Sequence, residues 1–471
     1  MLKELLKEGG LYTLATLLTK GVSLMLIPFY TSYFSTEDYG LLEYLAVFGG
    51  FINGFFSLQI YQGLARYVAD NSTSIEDKKA FASTGLYATI AMFSLFSLII
   101  FFNRPFYTEK LIGGNNQHLL ILFTIQLCLS NVFHYLNTYI KYDRNVKLFA
   151  LISFVYSLLN IIIIIFLVAG LSFGIESIFY ASMVTSALFI IFQIIVLRKK
   201  LTLKFSKNHL KTLLKFSLPL VPAVLSFTIM VFTDRWFIKE YLNLSELGIY
   251  GVGYKFSSVV VIIATAFSMA LSPIIYNRYK DENVQKDISR IFNLFIGVGM
   301  FFIFLISIFS KETIEIFTDS KFHDAQYLMP IFYFTVGISL LTMFSLGLQI
   351  QKKTKTIAII ALIGAVLNLV LNIVLVPKNG VYGAATATFI AVGTHSITTF
   401  YLSQKEFPYK NKIKYFFLII IVNALIIYLF SYKFELHWIY KIGISLVYCL
   451  ILSFVYKNEL DNLWLKVRRK K

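Results

Sequence analysis

The sequence predicts an all-α polytopic membrane protein of about fourteen transmembrane helices, built as two parallel-repeat lobes of six helices followed by two C-terminal helices. Three observations predict this class. The 471-residue chain is 57% hydrophobic and only 14% charged, whereas soluble domains are about a quarter charged. Fourteen apolar runs are long enough to cross a bilayer. The first half of the chain also recurs in the second.

The apolar runs are predicted to be helices, because backbone groups in hydrocarbon must bond within their own segment and because the alternating polarity of barrel strands is missing. The first run has no A-x-A-like cleavage site, so we expect it to be retained as a helix. The runs lie at 9–34, 41–66, 83–103, 118–140, 148–169, 177–197, 214–242, 249–275, 290–309, 326–348, 355–376, 381–403, 413–432 and 437–456.

Positive charge is distributed unevenly between the two sets of loops. Thirty-two of the 43 Lys and Arg residues lie in the termini and in one alternating set of loops, and eight lie in the opposite set. This asymmetry predicts that both termini are cytoplasmic. The net charge of +18 is therefore attributed to topology, and no nucleic acid partner is expected. The most basic stretch, 198–212, either attracts anionic lipid or is a plain topogenic loop.

Sequence motifs recur at an offset of 208 residues. Asp38 and Gly40, after the first run, return as Glu246 and Gly248 after the seventh, and the basic loop RNVK returns as KKTK. Six runs are therefore interpreted as duplicated to twelve, and both copies share one orientation because six is even. The predicted parts are an N-lobe at 1–205, a C-lobe at 206–405, and helices 13 and 14 with a basic cytoplasmic tail at 406–471.

Charged residues inside the runs are the main candidate functional residues, because an intramembrane charge normally faces protein or water. Lys20, Arg235 and Lys255 are predicted to line a cationic cavity that suits phosphate or pyrophosphate. For Arg235 and Lys255 the alternative is snorkelling to the nearer interface. Asp234 and Glu43 are candidate charge partners of Arg235 or Lys255, and the sequence does not choose between them.

Two histidines and three tyrosines are further candidates. His134 and His395 lie within runs and are candidates for proton coupling, although a lone histidine there is more often only hydrogen-bonded. Tyr61, Tyr135 and Tyr254 are weaker candidates for stacking on a sugar, because membrane aromatic residues more often face lipid.

No motif of nucleotide binding or hydrolysis is present, neither G-x-x-x-x-G-K-[ST] nor H-E-x-x-H nor a nucleophile elbow. The two cysteines lie far apart in separate runs, which gives no disulfide framework and no metal spacing. An enzyme, a metal and a cofactor are therefore not expected. H⁺ and Na⁺ are the candidate coupling ions. Arg66 and Arg290, at the inner ends of runs, are expected to anchor the interface.

Five motifs follow one another along nearly the whole chain: GGLYTLATLLTKGVSLMLIPFYTSYFSTEDYGLLEY, SLPLVPAVLS followed by TDRWFI, LSPIIY, FHDAQYLMP and VPKNGVYGAATAT. In this order and spacing they resemble the polysaccharide and O-antigen repeat-unit flippases (Wzx-type) of the multidrug/oligosaccharidyl-lipid/polysaccharide exporter superfamily.

The resemblance implies a flippase that moves an oligosaccharide on undecaprenyl pyrophosphate across the bacterial cytoplasmic membrane by alternating access, from inner to outer leaflet, for O-antigen or capsule synthesis. It implies membrane lipid, a polysaccharide polymerase and chain-length proteins as partners. It also implies a cationic central cavity, with Lys20, Arg235 and Lys255 at the matching positions. The glycan, the coupling stoichiometry and the oligomeric state are left open.

Three other functions fit part of the pattern. A multidrug cation antiporter of the same architecture would need a buried acid that titrates. A flippase for lipid-linked peptidoglycan precursor would be indispensable for growth. A membrane glycosyltransferase or polymerase would need a catalytic acidic or metal-binding set in a sizeable outer loop, and the outer loops here are short.

Overall fold

The computed structural model describes residues 21–457 except 22, 23, 71, 115, 144, 279, 280, 282, 283, 434 and 435; the side chains of 262, 263, 265–278 and 430–432 are also outside the description. All regular secondary structure in these residues is helical. Nine of the described helices are long and apolar enough to cross a membrane, or ten if the bent pair Ser320–Tyr327 and Met329–Phe344 forms one span. The predicted class, an all-helical multi-span membrane protein, is confirmed.

The chain divides by its internal contacts into two compact units, Met1–Trp236 and Phe237–Lys471. The lobe boundaries expected from the repeat, at 205 and 405, stay predictions. The first unit includes the basic linker because Leu213, just beyond it, is fully buried in that unit's core.

The helix Thr36–Phe56 of the first unit has a capped N-terminus. Ser35 and Asp38 form a capping box: the Asp38 N–H donates to Ser35 Oγ at 3.0 Å, and the Ser35 N–H donates to Asp38 Oδ2 at 3.2 Å. Residues 24–33 are helical. The labelled helices are α1 (Thr36–Phe56), α2 (Ile60–Ala69), α3 (Ile75–Phe102), α4 (Gln117–Tyr142), α5 (Val146–Ile165), α6 (Glu176–Leu197), α7 (Lys207–Ser217) and α8 (Val221–Tyr241), which continues into the second unit.

The core of the first unit lies among α2, α3, α4 and α7. Gly63 of α2 lets the backbones of α2 and α7 approach closely, because a Cβ there would lie 3.2 Å from the Leu213 carbonyl oxygen. Gly85 of α3 makes room for Tyr135 of α4, whose hydroxyl donates to the Ala82 carbonyl at 3.0 Å. The buried core side chains are Ile60, Leu64, Val68, Phe81, Ala82, Leu86, Phe133, Tyr135, Leu136, Tyr139, Ile140, Ile152, Leu197 and Leu213.

All regular secondary structure in the described residues of the second unit is helical as well. Its longest helix bends at Gly380, whose φ of 57° and ψ of −139° suit glycine because they would strain a side chain. This bend joins the predicted eleventh and twelfth runs. The helices are α9 (Leu244–Arg278), α10 (Val284–Ile308), α11 (Ser310–Phe317), α12 (Met329–Ser339), α13 (Thr354–Glu406), α14 (Ile413–Ile427) and α15 (Trp438–Val455).

Candidate functional site

The second predicted run is a broken helix. α1 ends at Phe56 and α2 begins at Ile60, and between them Leu58 and Gln59 adopt left-handed backbone conformations with φ of 46° and 53°. Such a conformation costs roughly 1–2 kcal/mol for a residue with a Cβ. Broken helices within apolar runs of transporters commonly form binding sites. The break therefore marks the region around it as a candidate site.

Polar side chains of the break satisfy one another. The Gln59 N–H and its side-chain Nε2 both donate to Ser57 Oγ at 3.2 Å. Tyr61 Oη donates to Gln59 Oε1 at 2.8 Å, and Gln62 Nε2 donates to the same oxygen at 3.0 Å. Because Gln59 is only 1% exposed, these bonds replace the water that its amide loses on burial. The local sequence from Ser57 to Gln62 thus stabilises the break.

A polar cavity of about 320 Å³, here called the inner chamber, lies beside the break. Its walls come from α1, α2, α3 and α4. Asn53 lies one helical turn before the break, and its Oδ1 is buried with no hydrogen-bond partner among the described residues. The lining residues are Asn53, Ser57, Tyr61, Thr89, Asn131, His134, Tyr135 and Thr138.

A larger cavity of about 750 Å³, here called the outer chamber, shares Tyr61 and Thr138 with the inner chamber. The two chambers are therefore contiguous. Two basic side chains line the outer chamber, Arg66 from the last turn of α2 and Lys141 from the last turn of α4. The complete lining is Tyr61, Gln62, Ala65, Arg66, Ala69, Asp70, Thr138, Lys141, Tyr142 and Phe216.

Asp70 is the one carboxylate among the described residues that line the chambers. The Ser72 hydroxyl donates to Asp70 Oδ1 at 2.7 Å and the Ser72 N–H at 2.8 Å. These bonds, together with the charge of Arg66, hold the pKa of Asp70 below its ordinary value of 3.8. Asp70 is therefore ionised at neutral pH. With two bases and one acid, the outer chamber carries a net positive charge.

The charged pair predicted in the seventh run is buried within the first unit. Arg235 Nη2 donates to Glu43 Oε1 at 3.2 Å, and Arg235 Nη1 lies 3.8 Å from Asp234 Oδ2. The side chains are 1%, 8% and 1% exposed for Arg235, Glu43 and Asp234. Both candidate acids therefore contact Arg235, and Glu43 makes the closer contact.

The other predicted site residues are Lys20, Lys255, His134 and His395. Lys20 lies outside the described residues. Lys255 is half-buried in α9 of the second unit. Anion binding by Lys20, Arg235 and Lys255 stays a prediction. His134 lines the inner chamber. His395 lies on α13, and its Cβ would be 3.4 Å from a Cβ added at Gly364. Their role in proton coupling stays a prediction as well.

The chamber residues were only partly foreseen from the sequence. Tyr61 and Tyr135, the weaker sugar-stacking candidates, both line the inner chamber. Arg66, expected as an interface anchor, lines the outer chamber, and Lys141 was counted only as a topogenic charge. The signal that was passed over is the cluster of polar residues from Asn53 to Gln62 inside an otherwise apolar run.

Comparison with known sequence families gives two matches. Residues 5–278 match the family described as polysaccharide biosynthesis protein, and residues 219–374 match the MatE family. A Haloferax volcanii protein named "Probable low-salt glycan biosynthesis flippase Agl15" is 25% identical over 172 residues, which cover 35% of this chain and 36% of that protein. The chain thus matches about a third of that relative's length.

Solved structures that share the fold include the following two. "Lipid II flippase MurJ, inward closed conformation" has a TM-score of 0.72 at 18% identity, and the match covers 96% of this chain and 99% of that one. An inward-facing multidrug resistance MATE family transporter of the MOP superfamily has a TM-score of 0.67 at 14% identity, with 82% of this chain and 94% of that one covered. At these identities the likeness concerns fold alone.

Proposed function

We propose, because the chain belongs to the polysaccharide biosynthesis protein family, that it is a flippase for lipid-linked glycan. In this proposal it moves an oligosaccharide on undecaprenyl pyrophosphate from the inner to the outer leaflet of the bacterial cytoplasmic membrane. The polar head crosses through the protein while the prenyl chain stays in lipid. The name of the glycan flippase relative supports this class of substrate.

The observation that carries the proposal is the positively charged outer chamber. Arg66 and Lys141 line the same cavity of the first unit, with Arg66 exposed and Lys141 partly buried. A guanidinium can bind a phosphate through two parallel hydrogen bonds, and a lysine adds a second positive charge. A diphosphate matches this excess of positive charge. From the positive-inside pattern we expect this end of α2 and α4 to lie at the cytoplasm, where the substrate is made available.

The test combines export in cells with removal of the two charges. In cells that lack the protein, undecaprenyl-linked oligosaccharide is quantified in each leaflet, and the gene is then restored. We expect complete units to accumulate on the cytoplasmic side and restoration to clear them. The double variant Arg66→Gln/Lys141→Gln should fail to clear them. Lys353→Gln, which removes an exposed charge paired with Glu406 in the second unit, is the matched control and should restore export.

The proposal is wrong if lipid-linked units are distributed normally in cells without the protein. If accumulation occurs but the double variant, present at the wild-type level, clears it fully, the outer chamber has no part in the transport. Both results would be visible in the same leaflet measurement.

A second candidate function is a multidrug cation antiporter, favoured by the MatE match and by the buried carboxylates of Glu43 and Asp234. Arg235 contacts both carboxylates, so each of them already has a charge partner in the structure. Efflux of a cationic dye from cells that express the protein tests this alternative. Dye efflux that Glu43→Gln abolishes would support it.

A further inference from the structure

We infer that the inner chamber binds the first sugar of the lipid-linked glycan, as an uncharged ring, while the outer chamber holds the diphosphate to which that sugar is attached. The inference rests on the proposed function and deepens it, because it divides the substrate head between two chambers of distinct chemistry. Its test therefore uses two lipids that differ only in the sugar.

The lining of the inner chamber is polar and carries no permanent charge in the described residues. It offers the amides of Asn53 and Asn131, the hydroxyls of Ser57 and Thr138, and the imidazole of His134. Placing an ionised group in such a chamber without a counter-charge is unfavourable. A ligand with many hydroxyls and no charge suits this wall, and a sugar ring has that composition.

Asn53 provides an unused acceptor at the chamber. Its Oδ1 is buried and has no partner among the described residues. A buried acceptor left unbonded costs about 1–3 kcal/mol, so a ligand hydroxyl that donates to it would regain part of that energy. The Asn53 carbonyl accepts the Ser57 N–H at 3.1 Å, so the last turn of α1 stays intact and holds the amide next to the break.

Two tyrosines of the chamber are held in place through their hydroxyls. Tyr61 Oη donates to the buried Gln59, and Tyr135 Oη donates to the Ala82 carbonyl. Because each hydroxyl is bonded away, the aromatic ring is the part of the side chain that remains for a ligand. Tyr61 lines both chambers, so a head group that occupies both would lie next to this residue.

The sizes and the order of the chambers also match the head group. The inner chamber, at about 320 Å³, lies at the lower end of the 300–1,000 Å³ typical of small-molecule sites. It therefore suits a single small ring better than a repeat unit. The outer chamber is larger and basic. Adjacent chambers, one neutral and one cationic, correspond to a sugar bonded directly to a diphosphate.

The experiment measures binding of two probes to the purified full chain in lipid nanodiscs. The probes are undecaprenyl diphosphate and undecaprenyl diphosphate that carries one N-acetylhexosamine. We expect the wild-type protein to bind the glycosylated lipid about tenfold more tightly, as one to two added hydrogen bonds would give. Asn53→Leu, which keeps the branched shape but removes the amide, should remove most of this difference and leave binding of the bare lipid unchanged.

The matched control is Asn160→Leu, because Asn160 lies on α5 outside both chambers and donates to Ser182 Oγ at 3.3 Å. It should leave both affinities unchanged. Asn131→Leu tests the same chamber if Asn53→Leu does not yield folded protein, and it should also reduce only the binding of the glycosylated lipid.

The same binding measurements distinguish failure of this inference from failure of the proposed function. If the wild-type protein binds both lipids equally, or if the folded chamber variant weakens both equally, the inner chamber does not bind the sugar. If the inner chamber does not bind the sugar but Arg66→Gln/Lys141→Gln still weakens the binding of both lipids, the proposed function stands without the inference. If neither lipid binds the wild-type protein, the proposed function fails first.

Discussion

The second and eighth predicted runs hold equivalent places in the sequence repeat, yet the structure forms them differently. The second run breaks at 57–59 between α1 and α2, whereas α9 continues as one helix from Leu244 to Arg278 through the equivalent positions 265–267. The topology shared by the two copies therefore does not impose the break. The residues at the break are Ser, Leu and Gln in the first copy and Thr, Ala and Phe in the second.

The difference shows how one copy acquires a polar cavity. In the first copy, the amide of Gln59 bonds to Ser57, Tyr61 and Gln62 and thereby stabilises a left-handed turn. Phe267 of the second copy has no polar group that could do the same. The two copies also differ in their charged residues. Glu43, which pairs with Arg235, has Gly251 at the equivalent place in the second copy.

The largest expected effect comes from breaking the buried ion pair between Glu43 of the first copy and Arg235. Glu43→Ala leaves Arg235 in a site with 1% exposure, and loss of one partner of a buried ion pair costs about 3–5 kcal/mol. We expect a large fall in the free energy of unfolding, measured in detergent. The double variant Glu43→Ala/Arg235→Ala should lose less than the sum of the two single variants.

The exposed pair of Lys353 and Glu406, at 2.7 Å and with side chains 47% and 27% exposed, is the control for this prediction. Lys353→Ala should cost at most about 1 kcal/mol. Equal losses for Glu43→Ala and Lys353→Ala would show that burial adds nothing to the pair of Glu43 and Arg235.

The next largest effect concerns the packing of the broken helix on α7. Gly63→Val places a branched side chain where even a single added Cβ would lie 3.2 Å from the Leu213 carbonyl oxygen. Overpacking of this kind costs about 1–3 kcal/mol. Thermal unfolding of the purified variant measures the loss. Gly50→Ala is the control, because a Cβ there meets nothing within 4 Å. A Gly63 variant as stable as the Gly50 variant would contradict the close approach.

A smaller effect tests the left-handed backbone at the break. Glycine should be more stable than alanine at position 58 and less stable than alanine at position 266. At position 58 the left-handed backbone should make Leu58→Gly more stable than Leu58→Ala by about 1–2 kcal/mol, since both lose the same contacts and only alanine is strained. At the equivalent position 266, within a continuous helix, Ala266→Gly should be less stable than wild type by about 1 kcal/mol. Denaturant unfolding of the four proteins gives the signs. The same sign at both positions would mean that the two runs do not differ in this way.

The smallest effect concerns the charge balance of the outer chamber. Asp70→Asn removes its one described carboxylate and should increase the affinity for inorganic pyrophosphate by about two- to fivefold, most strongly at low salt. Because the pKa of Asp70 lies below 3.8, the wild-type carboxylate stays ionised as pH falls from 8 to 5, and protonates only at more acidic pH. Asp70→Asn should therefore raise the affinity equally at pH 8 and pH 5. A gain that disappears at pH 5 would place the pKa of Asp70 inside that range.

Much of the candidate site could not be predicted because it depends on contacts between distant helices. Arg66 and Lys141 are 75 residues apart, and each reads in the sequence as an ordinary charge at a helix end. Which face each helix presents follows from packing, such as the contact at Gly63 and the fit of Tyr135 against Gly85. The partner of Arg235 was likewise undecided between Glu43 and Asp234 until both were located.

The sequence by itself determined that this is a helical multi-span membrane protein, because apolar length and the need to satisfy backbone groups act within each segment. It also carried the family motifs. Only the tertiary structure decided where the second run breaks, that Asn53 and His134 share a neutral chamber, and that Arg66 and Lys141 share a basic one. The reason is physical: local hydropathy specifies that a segment crosses the membrane, whereas the rotation and bending of each helix follow from packing against its neighbours.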